Sequence, residues 1–406
     1  MSTATGSPQP SQRLLSLDAL RGFDMFWILG GDSLAYALHR MSGDPVTRMI
    51  ATQLDHVEWA GVHAYDLIFP TFVFIMGVST VFALTGVLAR EGRSATVRRI
   101  LIRGAILFAL GLIYNGGLAR SWPDVRIMGV LGRIALCYIF GGIAFCFLRP
   151  RSLCALAATL LLGYWALMAL VPFPDVRPIP GGATVITKEA GFRDTAQLRM
   201  DSTVMLKGSY VQGVNLADYI DQRYLPGRKY DGTYDPEGLL STIPAFATGL
   251  LGILVGTFLR NSRDGDRRKA AVLVGAGAIS VLLGFAWGIE FPVIKKIWTS
   301  SYVLVAGGFS SMLLGVFYWV IEVKGMNRWC LPFVWIGMNP ITLYMASDVL
   351  DGFDGLASRV TGGSVSSFLD VHVARGCGDL VTALAGIALF LALARFLYIR
   401  KIFIRV

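Results

Sequence analysis

Residues 66–89 read DLIFPTFVFIMGVSTVFALTGVLA, and this stretch decides the fold class. No charged residue stands between Asp66 and Arg90, so the run is long enough to cross a bilayer as a helix, which takes about 20 apolar residues. The whole chain of 406 residues has a similar character, with 54% hydrophobic and 16% charged residues, where about 25% charged is usual. A soluble domain cannot bury so many apolar side chains. The sequence therefore predicts a protein that crosses a membrane several times.

Spanning segments recur along the chain wherever about 20 mainly apolar residues follow one another. From these segments we predict an all-α polytopic membrane protein with about ten transmembrane helices and one long outer loop. The predicted spans are residues 15–37, 64–89, 100–116, 127–148, 152–172, 239–259, 270–289, 300–321, 331–347 and 379–399.

The net charge of +10 predicts how these spans are oriented. Lysine and arginine concentrate in alternate loops, and the positive-inside rule assigns such loops to the cytoplasm. Both termini are therefore expected in the cytoplasm, and the basic excess does not indicate a nucleic-acid partner. The main basic clusters are residues 90–103, 149–151, 260–269, 324–328 and 400–405.

The domain organisation is simple in this interpretation. We expect residues 1–13 to be a cytoplasmic tail and residues 14–406 to be a single transmembrane domain. Within it, residues 173–238 form an unusually long connection on the outer side. Connections of this length are binding loops, lids or disordered spacers. The hydrophobic residues and tyrosines of this loop favour an ordered cap.

The first predicted span carries ionisable side chains, each of which costs about 2.5–3.5 kcal/mol to insert. At about 100° per residue, Asp18, Arg21 and Asp32 share one face of the helix. Asp18 and Arg21 either form an ion pair that locks helix packing or contribute to function. Asp32 stands beside Gly30 and Gly31 without a local basic partner. We expect Asp32 to be functional.

The second span begins with a polar residue at a broken helix start. Asp66 stands four residues before Pro70, and proline has no N–H to donate to the Asp66 carbonyl. Unpaired backbone groups of this kind are tolerated in membranes where they line a cavity. Asp66 therefore either contributes to a binding site, or it caps the helix start or pairs with an arginine.

His56 is the candidate for a general base, because histidine titrates near neutral pH. It lies in the sequence LDHVEW, between Asp55 and Glu58 and just before the second span on the outer side. An adjacent carboxylate, Asp55 or Glu58, could fix the tautomer of the His56 ring. We expect Glu58 and His63 to help bind a substrate. The histidines have no recognisable metal-ligand spacing, so no metal is expected.

Several arginines could receive a phosphorylated ligand from the cytoplasm, because guanidinium binds phosphate in a bidentate manner. Arg98, Arg99 and Arg103 lie in the cytoplasmic half, and Arg133 lies within the fourth span. The alternative, side chains that extend to lipid headgroups, suits Arg98 and Arg99 but suits Arg133 poorly. Asn339 is a further intramembrane polar residue. No glycine motif supports nucleotide hydrolysis or hydride transfer.

Five motifs together resemble one enzyme family. They are SLDALRGFDMFWI (16–28), DLIFPTFVFIMG (66–77), VRIMGVLGRIALCY (125–138), YDPEGLLSTI (234–243) and IGMNPITLY (336–344). In this order they resemble the heparan-α-glucosaminide N-acetyltransferase family and its bacterial relatives, which are linked to amino-sugar use. The D-x-L-R-G piece alone would be weak, because other membrane acyltransferases share it.

The resemblance implies an enzyme that takes acetyl-CoA from the cytoplasmic side and acetylates a terminal glucosamine amine on the outer side. It also implies that His56 is essential and that the protein is a homodimer in the bacterial inner membrane. Asp32 aligns with a position that is Asn in the animal proteins. Since Asp can accept a proton and Asn cannot, the division of roles between Asp32 and His56 is open.

The hypothesis is direct acetyl transfer within a ternary complex, with His56 taking the proton of the acceptor amine. We assign catalysis to His56, Asp32 and Asp55, and substrate binding to Asp66, Glu58 and His63. The expected residues for acetyl-CoA binding are Arg21, Arg98, Arg99, Arg103, Arg133 and Asn339.

Two other functions fit parts of the same pattern. A secondary transporter of amino sugars would use Asp18, Arg21, Asp32 and Asp66 as a relay, but no internal repeat of the kind expected in many transporters is visible. A non-catalytic scaffold would bind a partner through its outer loop. It would not explain the ionisable residues of the first span.

Overall fold

The computed structural model describes residues 14–175 and 204–403, which form a bundle of helices with two small sheets. The α-helices are α1 (Leu15–Phe26), α2 (Asp32–Ser42), α3 (Pro45–Gln53), α4 (Ile68–Tyr114), α5 (Val130–Phe147), α6 (Pro150–Leu170), α7 (Leu216–Tyr224), α8 (Thr242–Asn261), α9 (Asp266–Trp287), α10 (Ser300–Tyr318), α11 (Leu331–Gly337), α12 (Pro340–Val349), α13 (Phe353–His372) and α14 (Cys377–Ile399). Shorter helical turns are the π-helices Trp27–Gly31 and Trp319–Val323 and the 3₁₀ helices Ala64–Leu67 and Trp122–Asp124. The strands are β1 (Phe173–Pro174), β2 (Met205–Leu206), β3 (Tyr210–Val211) and β4 (Val214–Asn215), paired as β1–β2 and β3–β4.

Helix α4 contains two predicted spans that fold back on each other. Its backbone leaves the helical conformation at Gly92, where φ is 79°. Phe69 and Leu107 line the same cavity, whereas a straight helix would hold them about 57 Å apart at 1.5 Å per residue. The chain therefore reverses near Gly92, as the separate predictions of residues 64–89 and 100–116 require.

The first predicted span is not one regular helix. A π-helix, Trp27–Gly31, separates α1 from α2, and Gly30 within it has a φ of 118°. The wider turn rotates everything that follows it relative to α1. The prediction that Asp18, Arg21 and Asp32 share one face assumed regular periodicity, and it is wrong for Asp32, which begins α2 beyond the irregular turn.

Among the described residues, seven helical segments are long and apolar enough to cross a membrane. The segment Ala64–Tyr114 counts once among them, although Gly92 divides it. The predicted span 331–347 is broken into α11 and α12, and α13 is a helix that the sequence did not predict. The fold is thus mainly helical and polytopic, while the count of ten spans stays a prediction.

The bundle has two ends of different character, which we call the basic end and the histidine end. The first half of α4 and α8 run parallel, since a Cβ at Gly252 would lie 2.0 Å from the Phe74 carbonyl oxygen and one at Gly256 would lie 2.9 Å from that of Val78. The reversal at Gly92 and the α8–α9 connection therefore lie at the same end. Tyr318 donates to Asp266 at 2.7 Å and brings the end of α10 there. The basic end thus carries the clusters 90–103, 260–269 and 324–328.

His56 lies near the start of α4, at the other end of the bundle, and part of the long connection 173–238 packs there. The Trp59 indole N–H donates to the Tyr210 carbonyl at 2.8 Å. Phe173 and Leu216 are buried in a small apolar cluster with residues of the α9–α10 connection. Residues 176–203 of the predicted cap lie outside the described residues. The cap function itself stays a prediction.

Candidate functional site

The histidine end contains an Asp–His pair. His56 Nδ1 lies 2.8 Å from Asp66 Oδ1. The Asp66 side chain is almost fully buried, whereas the His56 side chain is 52% exposed. When Nδ1 carries the proton and donates it to Asp66, Nε2 keeps its lone pair. This arrangement presents a proton acceptor at a surface that a ligand can reach.

The backbone around Asp66 holds its carboxylate in place. Asp66 Oδ2 accepts hydrogen bonds from the backbone N–H groups of His63 at 3.0 Å and Val57 at 3.2 Å. Pro70 has no N–H to donate to the Asp66 carbonyl. This carbonyl instead accepts a hydrogen bond from the Tyr302 hydroxyl at 2.6 Å. Asp66 thus caps the helix start and pairs with His56 and Lys295, while its part in a binding site stays a prediction.

Lys295 is the third member of the site. Its Nζ lies 3.2 Å from Asp66 Oδ1, 3.0 Å from His56 Nδ1 and 3.4 Å from His56 Nε2. Lys295 stands in the connection between α9 and α10, outside the spanning helices. Its burial lowers the pKa of the ammonium group, and the negative charge of Asp66 opposes that effect. A partly desolvated cation therefore lies beside the exposed ring.

Asp32 reaches this site through Tyr65. The Tyr65 ring packs on the His56 ring with centroids 4.8 Å apart, and the Tyr65 side chain lies close to the Asp32 carboxylate. A second carboxylate, Asp354, lies nearby and accepts a hydrogen bond from Ser33 at 2.5 Å. The polar side chains at the start of α2 thus adjoin the Asp–His pair.

The other residues predicted beside His56 have different places. The Asp55 carboxylate accepts the backbone N–H of His56 at 2.8 Å. It does not hold the ring, because Asp66 occupies Nδ1, and the prediction that Asp55 fixes the tautomer is wrong in this respect. His63 is half-buried, and its Nδ1 lies 3.1 Å from the Asp55 carbonyl oxygen. Glu58 is exposed. Both lie at the rim of the site.

A buried ion cluster adjoins the site from the loops at the histidine end. Arg126 donates to Asp235 at 2.7 and 2.6 Å and also donates to Glu237. Burial alone would lower the pKa of Arg126, but its hydrogen bonds with the two carboxylates and their charges outweigh burial and raise it. The charge of Glu237 also acts on Lys295. The cluster ties residues 234–237 to the start of α5.

Arg133 lies at the histidine end and not with the other predicted arginines. It is fully buried, donates to Ser241 at 2.5 Å and lies over the Trp298 ring at 4.8 Å. Its Nε and Nη1 atoms have no hydrogen-bond partner among the described residues. A guanidinium group with unused donors is a ready site for an anionic or carbonyl oxygen.

A small apolar cavity of about 30 Å³ lies beside the first turns of α4. Phe69, in its wall, packs edge-on against Trp298 with ring centroids 5.2 Å apart, so the cavity adjoins the connection that carries Lys295. A cavity of this size does not hold the arm of a ligand, because ligand pockets usually measure about 300–1,000 Å³. The lining residues are Met25, Ile28, Phe69, Phe72, Leu107, Val130, Leu131, Ile134, Ile341 and Tyr344.

The remaining arginines predicted for the donor lie towards the basic end. Arg98 and Arg99 are exposed just after the reversal of α4. Arg103 lies over the Tyr138 ring at 5.4 Å. Arg21 pairs with Asp18 at 3.2 Å and also donates to the Gly337 carbonyl and to Ser79. These contacts join α1 to α11 and α4.

Asn339 also lies far from His56. Its amide donates to the Ile402 carbonyl at 2.9 Å. Ile402 follows α14, and the start of α14 is held at the histidine end by the Arg40–Asp379 ion pair of 2.5 Å. A helix of 23 residues extends about 35 Å, so Asn339 lies near the basic end. Among the described residues, no group of three or more His, Cys, Asp or Glu side chains could hold a metal ion.

The sequence did not single out Lys295, Tyr302 or the pair Asp235–Glu237 as site residues. In the sequence, Lys295 lies in a short connection between two predicted spans, where a charged residue is common and indicates no function. The pair Asp235–Glu237 lies within the motif YDPEGLLSTI. This motif is one of the five that carry the family resemblance, so it could have indicated that the pair is functional. Tyr302 lies within an apolar span and carried none.

Comparisons with known proteins agree with one another. Residues 13–180 match the model of a family described as heparan-alpha-glucosaminide N-acetyltransferase, catalytic. Similar curated proteins are the heparan-alpha-glucosaminide N-acetyltransferases of Mus musculus, 29% identical, and Homo sapiens, 30% identical, each over 329 residues. Each match covers 73% of this chain and 49% of the relative. The chain thus spans about half the length of the curated relatives it matches.

Proposed function

We propose that this chain, which belongs to the heparan-α-glucosaminide N-acetyltransferase family, is itself a membrane-embedded N-acetyltransferase. It would transfer the acetyl group of acetyl-CoA to the amine of a glucosamine-type sugar. The observation that carries this proposal is the His56–Asp66 pair, with one ring nitrogen on Asp66 and about half of the His56 side chain exposed. An amine is mostly protonated at neutral pH, so its acetylation needs such a base.

The reaction would be direct transfer in a ternary complex. His56 Nε2 takes the proton of the acceptor amine, and the nitrogen lone pair attacks the thioester carbonyl. The imidazolium that forms is stabilised by the buried carboxylate of Asp66, as in other Asp–His arrangements. No acetyl-enzyme intermediate is needed, because both substrates can meet beside one ring.

Asp32 would hold the acceptor amine before it reacts. An ionised carboxylate attracts an ammonium group, and Tyr65 joins Asp32 to the His56 ring. In this division of roles Asp32 binds the charged amine and His56 removes its proton. Glu58 and His63, at the rim, and the described part of the outer loop would contact the rest of the sugar.

Acetyl-CoA would enter from the basic end, which the positive-inside rule assigns to the cytoplasm. Its phosphates would meet Arg98, Arg99 and Arg103, and its apolar arm would pass between the helices towards the histidine end. Exclusion of water by the surrounding apolar side chains would protect the thioester from hydrolysis and strengthen the electrostatic interactions around it. Arg133, with its unused donors, would contact the donor near its reactive end.

The cellular setting is part of the same proposal. The apolar helices require a membrane, and we assign the bacterial cytoplasmic membrane with the histidine end facing outward. A homodimer is the proposed assembly. The partners are then acetyl-CoA, an amino sugar and the lipid bilayer.

The proposal is tested with purified protein in detergent, labelled acetyl-CoA and glucosamine. The wild type should form N-acetylglucosamine, and His56→Ala should lower kcat at least about 100-fold, since a positioned base contributes about 10²–10⁴-fold. His372→Ala is the matched control, because His372 is exposed and stacks on Phe368 within α13. Full activity of His56→Ala would overturn the proposed mechanism.

A further inference from the structure

The ammonium group of Lys295 contacts both members of the Asp–His pair, with Nζ 3.2 Å from Asp66 Oδ1 and 3.0 and 3.4 Å from the two ring nitrogens of His56. The Lys295 side chain is 17% exposed. Lys295 and His56 are 239 residues apart in the sequence, so only the tertiary fold brings them together.

The connection that carries Lys295 is fixed by several contacts. Its start is joined to the His56 segment, because the Gly61 N–H donates to the Val293 carbonyl at 2.8 Å. The Tyr164 hydroxyl donates to the Ile297 carbonyl at 2.5 Å. Trp298 is buried and adopts a positive φ of 50°. Such backbone strain persists only where the surroundings hold it, often at functional sites.

The ammonium group has more donors than the described residues use. It carries three N–H bonds, and Asp66 Oδ1 is the carboxylate oxygen it contacts. The His56 Nδ1 atom donates its own proton to Asp66, so in that tautomer it cannot also accept one from Lys295. The Nε2 atom keeps its lone pair and lies 3.4 Å from Nζ, so it can accept a second N–H of Lys295 until a ligand takes that place. At least one N–H of Lys295 is therefore available to a ligand bound beside His56 Nε2.

We propose that Lys295 is a further catalytic residue, whose ammonium group donates to the thioester carbonyl oxygen and stabilises the oxyanion of the tetrahedral intermediate. The inference rests on the proposed acetyl transfer. The acceptor nitrogen must lie within about 3 Å of His56 Nε2 to lose its proton. The carbonyl that this nitrogen attacks is then within reach of a cation that itself lies 3.4 Å from Nε2.

The step balances as follows. The acceptor ammonium first loses one proton to His56, which passes it to water, so that a neutral amine and a neutral ring remain. The amine nitrogen then forms a bond to the carbonyl carbon, and the electron pair of the C=O bond moves to the oxygen beside Lys295. The neutral His56 takes a second proton from that nitrogen. The oxyanion then re-forms the carbonyl, the C–S bond breaks, and the CoA thiolate leaves and receives the proton from His56. Lys295 keeps its own protons throughout.

A charged Lys295 makes the reaction sensitive to alkaline pH. The groups that face it are Asp66, His56, Glu237 and Lys296. Burial lowers the pKa of Lys295 below the usual lysine value of about 10.4, and the negative charge of Asp66 opposes that effect. The positive charge on which the proposed role depends is lost as the pH rises through that lowered pKa. The kcat of the wild type should fall over this alkaline range.

The test compares three variants in the detergent assay with acetyl-CoA and glucosamine. Lys295→Met should lower kcat about 100–1,000-fold, the cost of losing one oxyanion donor, with the KM for acetyl-CoA changed less than about 3-fold. Lys295→Arg should retain activity and lose the alkaline fall, because guanidinium stays charged. Lys296→Met is the matched control, since Lys296 pairs with Asp231 at 2.9 Å, and it should stay within about 3-fold of the wild type.

Two results would overturn the role of Lys295 while leaving the proposed function intact. One is a kcat of Lys295→Met within about 3-fold of an active wild type. The other is an unchanged alkaline fall in Lys295→Arg, which decides the matter even if Lys295→Met does not fold. A wild type that makes no N-acetylglucosamine would instead contradict the proposed function.

Discussion

At the residue scale, the distance of 2.8 Å between His56 Nδ1 and Asp66 Oδ1 determines which carboxylate can orient the base. Asp55 is adjacent in sequence, yet its carboxylate accepts a hydrogen bond from the backbone N–H of His56 and not from the ring. The sequence could predict that His56 has an acidic neighbour. It could not predict which one, because that depends on how the chain turns between residues 57 and 65.

Asp66→Asn should lower kcat at least about 100-fold. The amide keeps the shape of the side chain but removes the charge that stabilises an imidazolium, and it can hold the ring in the wrong tautomer. Asp55→Asn should cost less than about 10-fold. The measurement is the initial rate of N-acetylglucosamine formation by both variants at saturating substrates, and a larger loss in Asp55→Asn than in Asp66→Asn would contradict the geometry.

Asp221 in α7 provides a pH-dependent contribution to stability. Burial raises the pKa of this carboxyl group to about 7. Hydrogen bonds from the backbone N–H groups of Leu239 and Asp235 lower the pKa, but burial outweighs them. The pKa of Asp221 in the folded protein thus lies above the value of about 3.9 in the unfolded chain. The protonated form of Asp221 contributes stability that is fully present below about pH 3.9 and is lost as the pH rises through about 7.

Asp221→Asn should therefore unfold at a temperature at least about 2 °C higher than the wild type at pH 8 and should match it near pH 4. The amide imitates the neutral acid, which the folded state prefers. Thermal unfolding in detergent, followed at both pH values, checks this. A variant that is less stable than the wild type at pH 8 would show that the ionised carboxylate is the preferred form.

At the element scale, the sequence predicted helices correctly where long apolar runs indicate them. It did not predict the places where the backbone departs from a regular helix. The reversal of α4 follows from apolar runs on both sides of a basic loop. The π-helix Trp27–Gly31 does not follow, because Gly30 and Gly31 permit the irregular turn without requiring it. The break between α11 and α12 at Asn339 was likewise hidden within an apolar run.

The contact between α4 and α8 depends on glycine. A Cβ at Gly252 would lie 2.0 Å from the Phe74 carbonyl oxygen, whereas a Cβ at Gly163 in α6 would meet no atom within 4 Å. Gly252→Val should destabilise the protein by at least about 1–3 kcal/mol, as overpacking does, and lower the yield of folded protein. Gly163→Val should fold normally. Thermal unfolding of the two variants checks this, and equal stability would contradict the close helix contact.

At the scale of the whole molecule, the apolar composition and the charge pattern predicted a polytopic helical protein, and the structure has its basic clusters 90–103, 260–269 and 324–328 at one end. The site at the other end joins residues 56, 66 and 295, and no local pattern links a lysine to a histidine 239 positions away. The motif resemblance predicted the family and indicated His56 as a candidate. The positions of Lys295, Tyr302 and Arg133 depend on packing between helices that are distant in the sequence, so they became visible only in the structure.

The central claim is that His56 removes the amine proton in acetyl transfer across the bilayer. The most direct measurement uses proteoliposomes of one protein orientation, with labelled acetyl-CoA at the basic end and glucosamine at the histidine end. The wild type should form N-acetylglucosamine on the histidine side, and His56→Ala should form at least about 100-fold less. Unmodified glucosamine crossing the bilayer without acetyl-CoA, or equal product from wild type and His56→Ala, would contradict the account.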